Sequence, residues 1–70
     1  MPNDDIVYIT IDIDDEHKVY TVSYEWTSNS GNAHAEACYM CESLKEALMV
    51  SEVLDTVHGK AHEVKKIINA

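Results

Sequence analysis

The sequence predicts an α+β fold, a three-stranded antiparallel meander packed on a C-terminal helix. Three observations carry this. Two nine-residue stretches alternate apolar and polar residues, a Ser–Glu capping box follows a third extended segment, and a 3-4 apolar repeat runs on from that box.

From Ile6 to Asp14, Val7, Ile9, Ile11 and Ile13 alternate with Tyr8, Thr10, Asp12 and Asp14, the period of a half-buried strand. Asp14-Asp15-Glu16-His17-Lys18 is a polar turn. From Val19 to Thr27 the alternation resumes, with Tyr20, Val22, Tyr24 and Trp26 opposite Thr21, Ser23, Glu25 and Thr27. Ser28-Asn29-Ser30-Gly31-Asn32 is a loop signal. Ala33 to Cys41 forms the third strand, its Ala35 and Ala37 small enough for a helix to press close. Ser43-Leu-Lys-Glu46 then opens a helix, the hydroxyl and carboxylate each satisfying an orphan N–H. Ala47, Val50, Leu54, Val57, Ala61, Val64 and Ile68 recur at 3-4 spacing, one stripe on a helix reaching almost to the end. Gly59 interrupts that stripe, and the rival reading ends the helix near His58 and makes Val64–Ile68 a fourth strand. Adjacent Lys65 and Lys66 break a strand's alternation, so the helix is the expectation.

Seventy residues form one domain, 1–70. Thirteen Asp and Glu stand against five Lys and no Arg, for a net charge of −8. An apolar fraction of 46% sets the chain apart from disordered acidic tails. No apolar run approaches a membrane span, and Met1-Pro-Asn-Asp-Asp lacks the features of a signal peptide. Two Cys make no disulfide scaffold, and the expected location is the cytoplasm. An acidic chain without Arg cannot neutralise many phosphates, which argues against direct nucleic-acid binding.

The charge is one-sided. Residues 1–42 hold nine acids and one base, for −8, whereas residues 43–70 hold four of each. On the meander, Asp12 and Asp14 project from one face about 6.6–6.8 Å apart, a pitch similar to successive phosphates of a nucleic-acid strand. Glu25 and Glu36 share that face, and Asp15 and Glu16 lie at its turn. These six residues are the candidate contacts with a basic, nucleic-acid-binding protein partner. A solvated sheet face that only keeps the chain soluble, in a structural or regulatory subunit, is the plainer alternative.

Other chemistry is less well supported. Cys38-x2-Cys41-x16-His58-x3-His62 offers zinc donors, but a helix from Ser43 carries His58 about 22 Å from Cys41. A zinc-binding module therefore requires the helix to start much later. Cys38 and Cys41 precede the helix cap, which is the wrong place for a redox pair. Asp12-x-Asp14-x-Glu16 fails as a calcium loop, with His17 where Gly is needed and Ser23 where Glu is needed. Four His occur without a nucleophile or phosphate-loop motif, so no enzymatic activity and no cofactor are expected. A helix folded back over the sheet would bring His58 near His34.

The meander over Ile6–Asp14, Val19–Thr27 and Ala33–Cys41, the helix opening at Ser43-Leu-Lys-Glu46 and the acidity together resemble the small phage-encoded inhibitors of the anti-CRISPR kind. The resemblance covers the layout of the whole chain and no motif. It implies a non-enzymatic inhibitor that blocks the nucleic-acid-binding surface of a Cas protein in the host cytoplasm, and it assigns no residue. Finally, a stripe from Ala47 to Ile68 is about 32 Å long, against about 30 Å for a nine-residue strand. Val64, Ile67 and Ile68 would then overhang the sheet, and a homodimer through the C-terminal helix is expected.

Overall fold

The computed structural model describes residues 6–28 and 30–70; Met1–Asp5 and Asn29, on which part of the charge count, the signal-peptide reading and the loop signal fall, lie outside the described residues. The elements run β1 (Ile6–Asp14), β2 (Val19–Thr27), β3 (His34–Cys41), α1 (Leu44–His58) and β4 (Glu63–Asn69). They form a mixed four-stranded sheet in the order β3-β2-β1-β4, with one helix on one face.

The meander forms as the alternation predicts, β1 pairing antiparallel with β2 from Val7↔Trp26 to Asp14↔Val19, and β2 with β3 from Tyr20↔Cys41 to Thr27↔His34. At the first turn the Asp14 carboxylate accepts from the His17 backbone N–H at 3.1 Å, and Lys18 closes the hairpin at φ 58°. In the second loop Gly31 adopts φ 78°, left-handed backbone that glycine enters without a steric penalty.

The serine half of the capping box forms as expected, and the glutamate half is displaced by one residue. Ser43 Oγ accepts from the Glu46 N–H at 3.1 Å, while Glu46 Oε1 reaches back past Ser43 to the Glu42 N–H at 2.9 Å. The continuous C-terminal helix does not form: α1 stops at His58, and residues 63–69 form β4, parallel to β1 from Ile6↔Glu63 to Asp12↔Asn69. Two physical reasons account for the difference. Gly59, a poor helix former, is the C-cap, and its N–H closes on the Asp55 carbonyl so tightly that a Cβ there would sit 2.6 Å from that oxygen. And Lys66, which faces the helix between Val64 and Ile68, is not stranded there: its Nζ lies 2.9 Å from Glu52 Oε1 and 3.1 Å from Asp55 Oδ2 on α1. The inward lysine is neutralised by the covering helix, and β4 satisfies the β1 edge that would otherwise stay open. With the tail in the sheet, Val64, Ile67 and Ile68 form no overhanging helical turn, and that argument for a dimer falls.

The core lies between α1 and the two middle strands. Val7, Ile9, Ile11 and Val22 are no more than 1% exposed, joined by Tyr20, Cys41 and Ala47. The close approach is made by the helix's own small residues. Ala47 and Ser51 are buried, and the Ser51 hydroxyl donates to the Leu48 carbonyl at 2.9 Å. The alanines of β3 do not serve this purpose, because α1 sits mainly over β1 and β2. No helix among the described residues is long and apolar enough to cross a membrane.

Candidate functional site

Strand parity sends every second residue of the sheet away from the helix. The open face therefore carries Tyr8, Thr10, Asp12 and Asp14 from β1 and Thr21, Ser23, Glu25 and Thr27 from β2. β3 adds His34, Glu36, Cys38 and Met40, and β4 adds Glu63, Lys65, Ile67 and Asn69. Lys65 is the single lysine on it among the described residues, registered beside Tyr8.

The acids fall into two groups. At one end, Asp12 Oδ1 accepts from Asn69 Nδ2 at 3.0 Å, and Asp14 Oδ2 lies 3.0 Å from His17 Nδ1. At the other, Glu25 and Glu36 face each other directly across the β2–β3 pair. His34 Nε2 lies 3.4 Å from Glu36 Oε2, and its Nδ1 is 2.9 Å from the Thr27 hydroxyl. Glu25 is registered with Tyr8, four residues from Asp12, so the groups stand about 13 Å apart along the strand. Thr10, Ser23 and Thr21 form the polar ground between them.

The turn residues behave differently. Asp15 swings toward the helix side and accepts the Tyr20 hydroxyl hydrogen at 2.7 Å. That hydrogen bond, with burial and the charges of Asp15 and Asp14, raises the Tyr20 pKa above its ordinary value. Asp15 thus anchors a core tyrosine, while Glu16 is exposed on the turn.

The four proposed zinc donors do not meet. Cys41 is buried on the helix face opposite Tyr20, whereas Cys38 is exposed on the open face. His58 stacks on Tyr24 with ring centroids 4.3 Å apart, and His62 tilts against Trp26 at 5.4 Å. Tyr24 is four residues, about 13 Å, along β2 from Tyr20, so both imidazoles sit at the far end of the sheet from Cys41. His58 and His34 lie on opposite faces and form no cluster. Burial pushes the Cys41 thiol up, with the Glu46 charge adding to it, the reverse of what a reactive thiolate needs.

A different donor set does converge: ligand atoms of Glu25, His34 and Glu36 lie within 4.8 Å of one another, all three residues exposed. Two carboxylates and an imidazole are donors a divalent cation such as zinc accepts. The sequence named these residues separately for the open face; their convergence needs the β2–β3 register. Asn69 on Asp12 was missed altogether, since it requires the parallel β1–β4 pairing. Comparison with protein-family models, curated proteins and solved structures finds no match for this chain.

Proposed function

We propose that this chain is a non-enzymatic interaction protein that lays the open face of its sheet against the nucleic-acid-binding surface of a basic protein, occupying the place of the nucleic acid. The observation that supports this most is that Asp12, Asp14, Glu25 and Glu36 share one uncovered face with, among the described residues, a single lysine. A carboxylate array on paired strands is held by the backbone ladder, so little order has to be gained on binding. Asp12 and Asp14 are the central contacts at one end, Glu25 and Glu36 at the other, with Glu16 at the rim, while Asp15 is held on the helix side by Tyr20 and drops out of the contact set. The partner class is that of a Cas protein, met in the cytoplasm of a phage host, and the mode of action is that of the anti-CRISPR inhibitors the layout resembles. Association of this kind is fast and weakens steeply with salt.

The test is capture of partners by the immobilised chain from a nuclease-treated host lysate. The expected result is a basic, nucleic-acid-binding protein whose capture drops at least about tenfold in Asp12→Lys/Asp14→Lys and again in high salt. Capture that survives both changes rejects the reading and leaves the acidic face as a solvated surface.

A further inference from the structure

The helix that covers the core leaves one flank of itself bare. Met49, Val53 and Val57 follow one another at four-residue spacing and are 60%, 62% and 58% exposed. Between this ridge and β3 runs an apolar groove of about 360 Å³, lined by Tyr39, Met49, Val50, Val53 and Leu54, with Glu46 at its end. Tyr39, on the helix face of the edge strand β3, is itself 43% exposed.

We infer that the occupant of this groove is a second copy of the same chain, packed as a two-fold homodimer in which each α1 ridge enters the partner's groove. Three features favour a copy over another protein. The patch holds both a ridge and a groove side by side, the self-complementarity that an isologous interface requires. Residues an i+4 step apart form the ridge type that interdigitates between helices. Charge then selects the face: two copies repel through the sheet face that carries Asp12, Asp14, Glu25 and Glu36, whereas the ridge is uncharged and Glu46 is the one charged residue lining the groove. The Glu46 carboxylate at the groove's end is already held by the Glu42 N–H.

The area fits a weak dimer. Four such side chains and their half-buried neighbours expose on the order of 500 Å² per copy, so complete burial by the pair removes at most about 1,000 Å², the lower limit for a specific interface and the size of a weak dimer. The opposite flank of α1 is a poorer candidate. Leu44 and Leu48 lie there, but the neighbouring edge strand β4 carries Lys65, a charge that discourages edge association, and the ion pairs of Lys66 with Glu52 and Asp55 already occupy this flank. Both acidic faces stay free in this dimer, which therefore stands whether or not the proposed partner is found.

Sedimentation equilibrium on the full chain tests it. The expected mass is twice the chain's 7.9 kDa at about 100 μM, falling to 7.9 kDa in Val53→Glu and staying doubled in Leu48→Glu. A wild-type mass of 7.9 kDa up to millimolar concentration overturns the inference, as does a Val53→Glu variant that remains dimeric. Far-UV circular dichroism checks that each variant is folded; should Val53→Glu unfold, Met49→Lys is read by the same criteria.

Discussion

The two faces of the sheet are written by alternate residues of the same strands and differ in almost everything else. On the covered face, Val7, Ile9, Ile11 and Val22 are sealed beneath Ala47 and Ser51. On the open face, Tyr8, Asp12 and Glu25 alternate with them along β1 and β2 and Glu36 joins from β3, all exposed. The covered face even neutralises its inward lysine, placing Lys66 between Glu52 and Asp55. The open face does the opposite and sets Glu25 directly across from Glu36, a like-charge pair that costs stability. One face is arranged for folding, and the other tolerates an arrangement that folding alone would not favour.

The largest expected effect separates the faces on a single strand. Ile9→Ala should cost about 2–5 kcal/mol, much of the about 4–10 kcal/mol available to a domain of this size. Asp12→Lys, three residues on and facing the other way, should shift stability by no more than about 0.5–1 kcal/mol. Urea unfolding of the two variants measures the contrast; equal losses would mean that Asp12 is structural. Next comes the helix end. Gly59→Ala forces a Cβ to within 2.6 Å of the Asp55 carbonyl oxygen, and should destabilise by about 1–3 kcal/mol in the same assay.

Alkaline pH should loosen the covered face. The Cys41 thiol is raised by burial and then by Glu46, and the Tyr20 hydroxyl first by its hydrogen bond to Asp15. The Lys66 ammonium is raised first by its hydrogen bond to Glu52, against a smaller opposing effect of burial. All three hold their protons more tightly folded than unfolded. Their contribution is complete below the ordinary values of 9.0, 10.0 and 10.5, and is lost as pH rises through the higher folded values. Thermal melts from pH 8 to 11 should show a falling midpoint, with Tyr20→Phe flattening part of the slope.

The smallest effect has the opposite sign. Glu36→Thr removes the like-charge pair and should stabilise the sheet by about 0.2–1 kcal/mol. If the open face works as proposed, the same change weakens partner capture, so stability and binding move in opposite directions.

Parity along β1 and β2 was enough to assign both faces from the sequence, and the Ser43–Glu46 box located the start of α1. What escaped was whatever depends on non-local pairing. Val64 and Ile68 fit a helical repeat and a strand equally well, and only the acids of α1 explain how Lys66 can point inward between them. The 3-4 stripe continued past Gly59 by coincidence, because no local signal shows that a Cβ there would meet Asp55. Likewise Glu25 and Glu36 could be placed on one face, but their direct opposition, and His34 beside them, follow from a register set by the loop after Thr27. The Cys and His spacing suggested a metal site that strand parity at Cys38 and Cys41 then divided between two faces.

The central claim is that the open face stands in for a nucleic acid. Competition measures this directly: fluorescence anisotropy of a labelled oligonucleotide bound to the captured basic protein, titrated with this chain. Full displacement is expected at one chain per oligonucleotide site, and little displacement by Asp12→Lys/Asp14→Lys that is folded by circular dichroism. A ternary complex, in which chain and oligonucleotide bind together without competing, would contradict it.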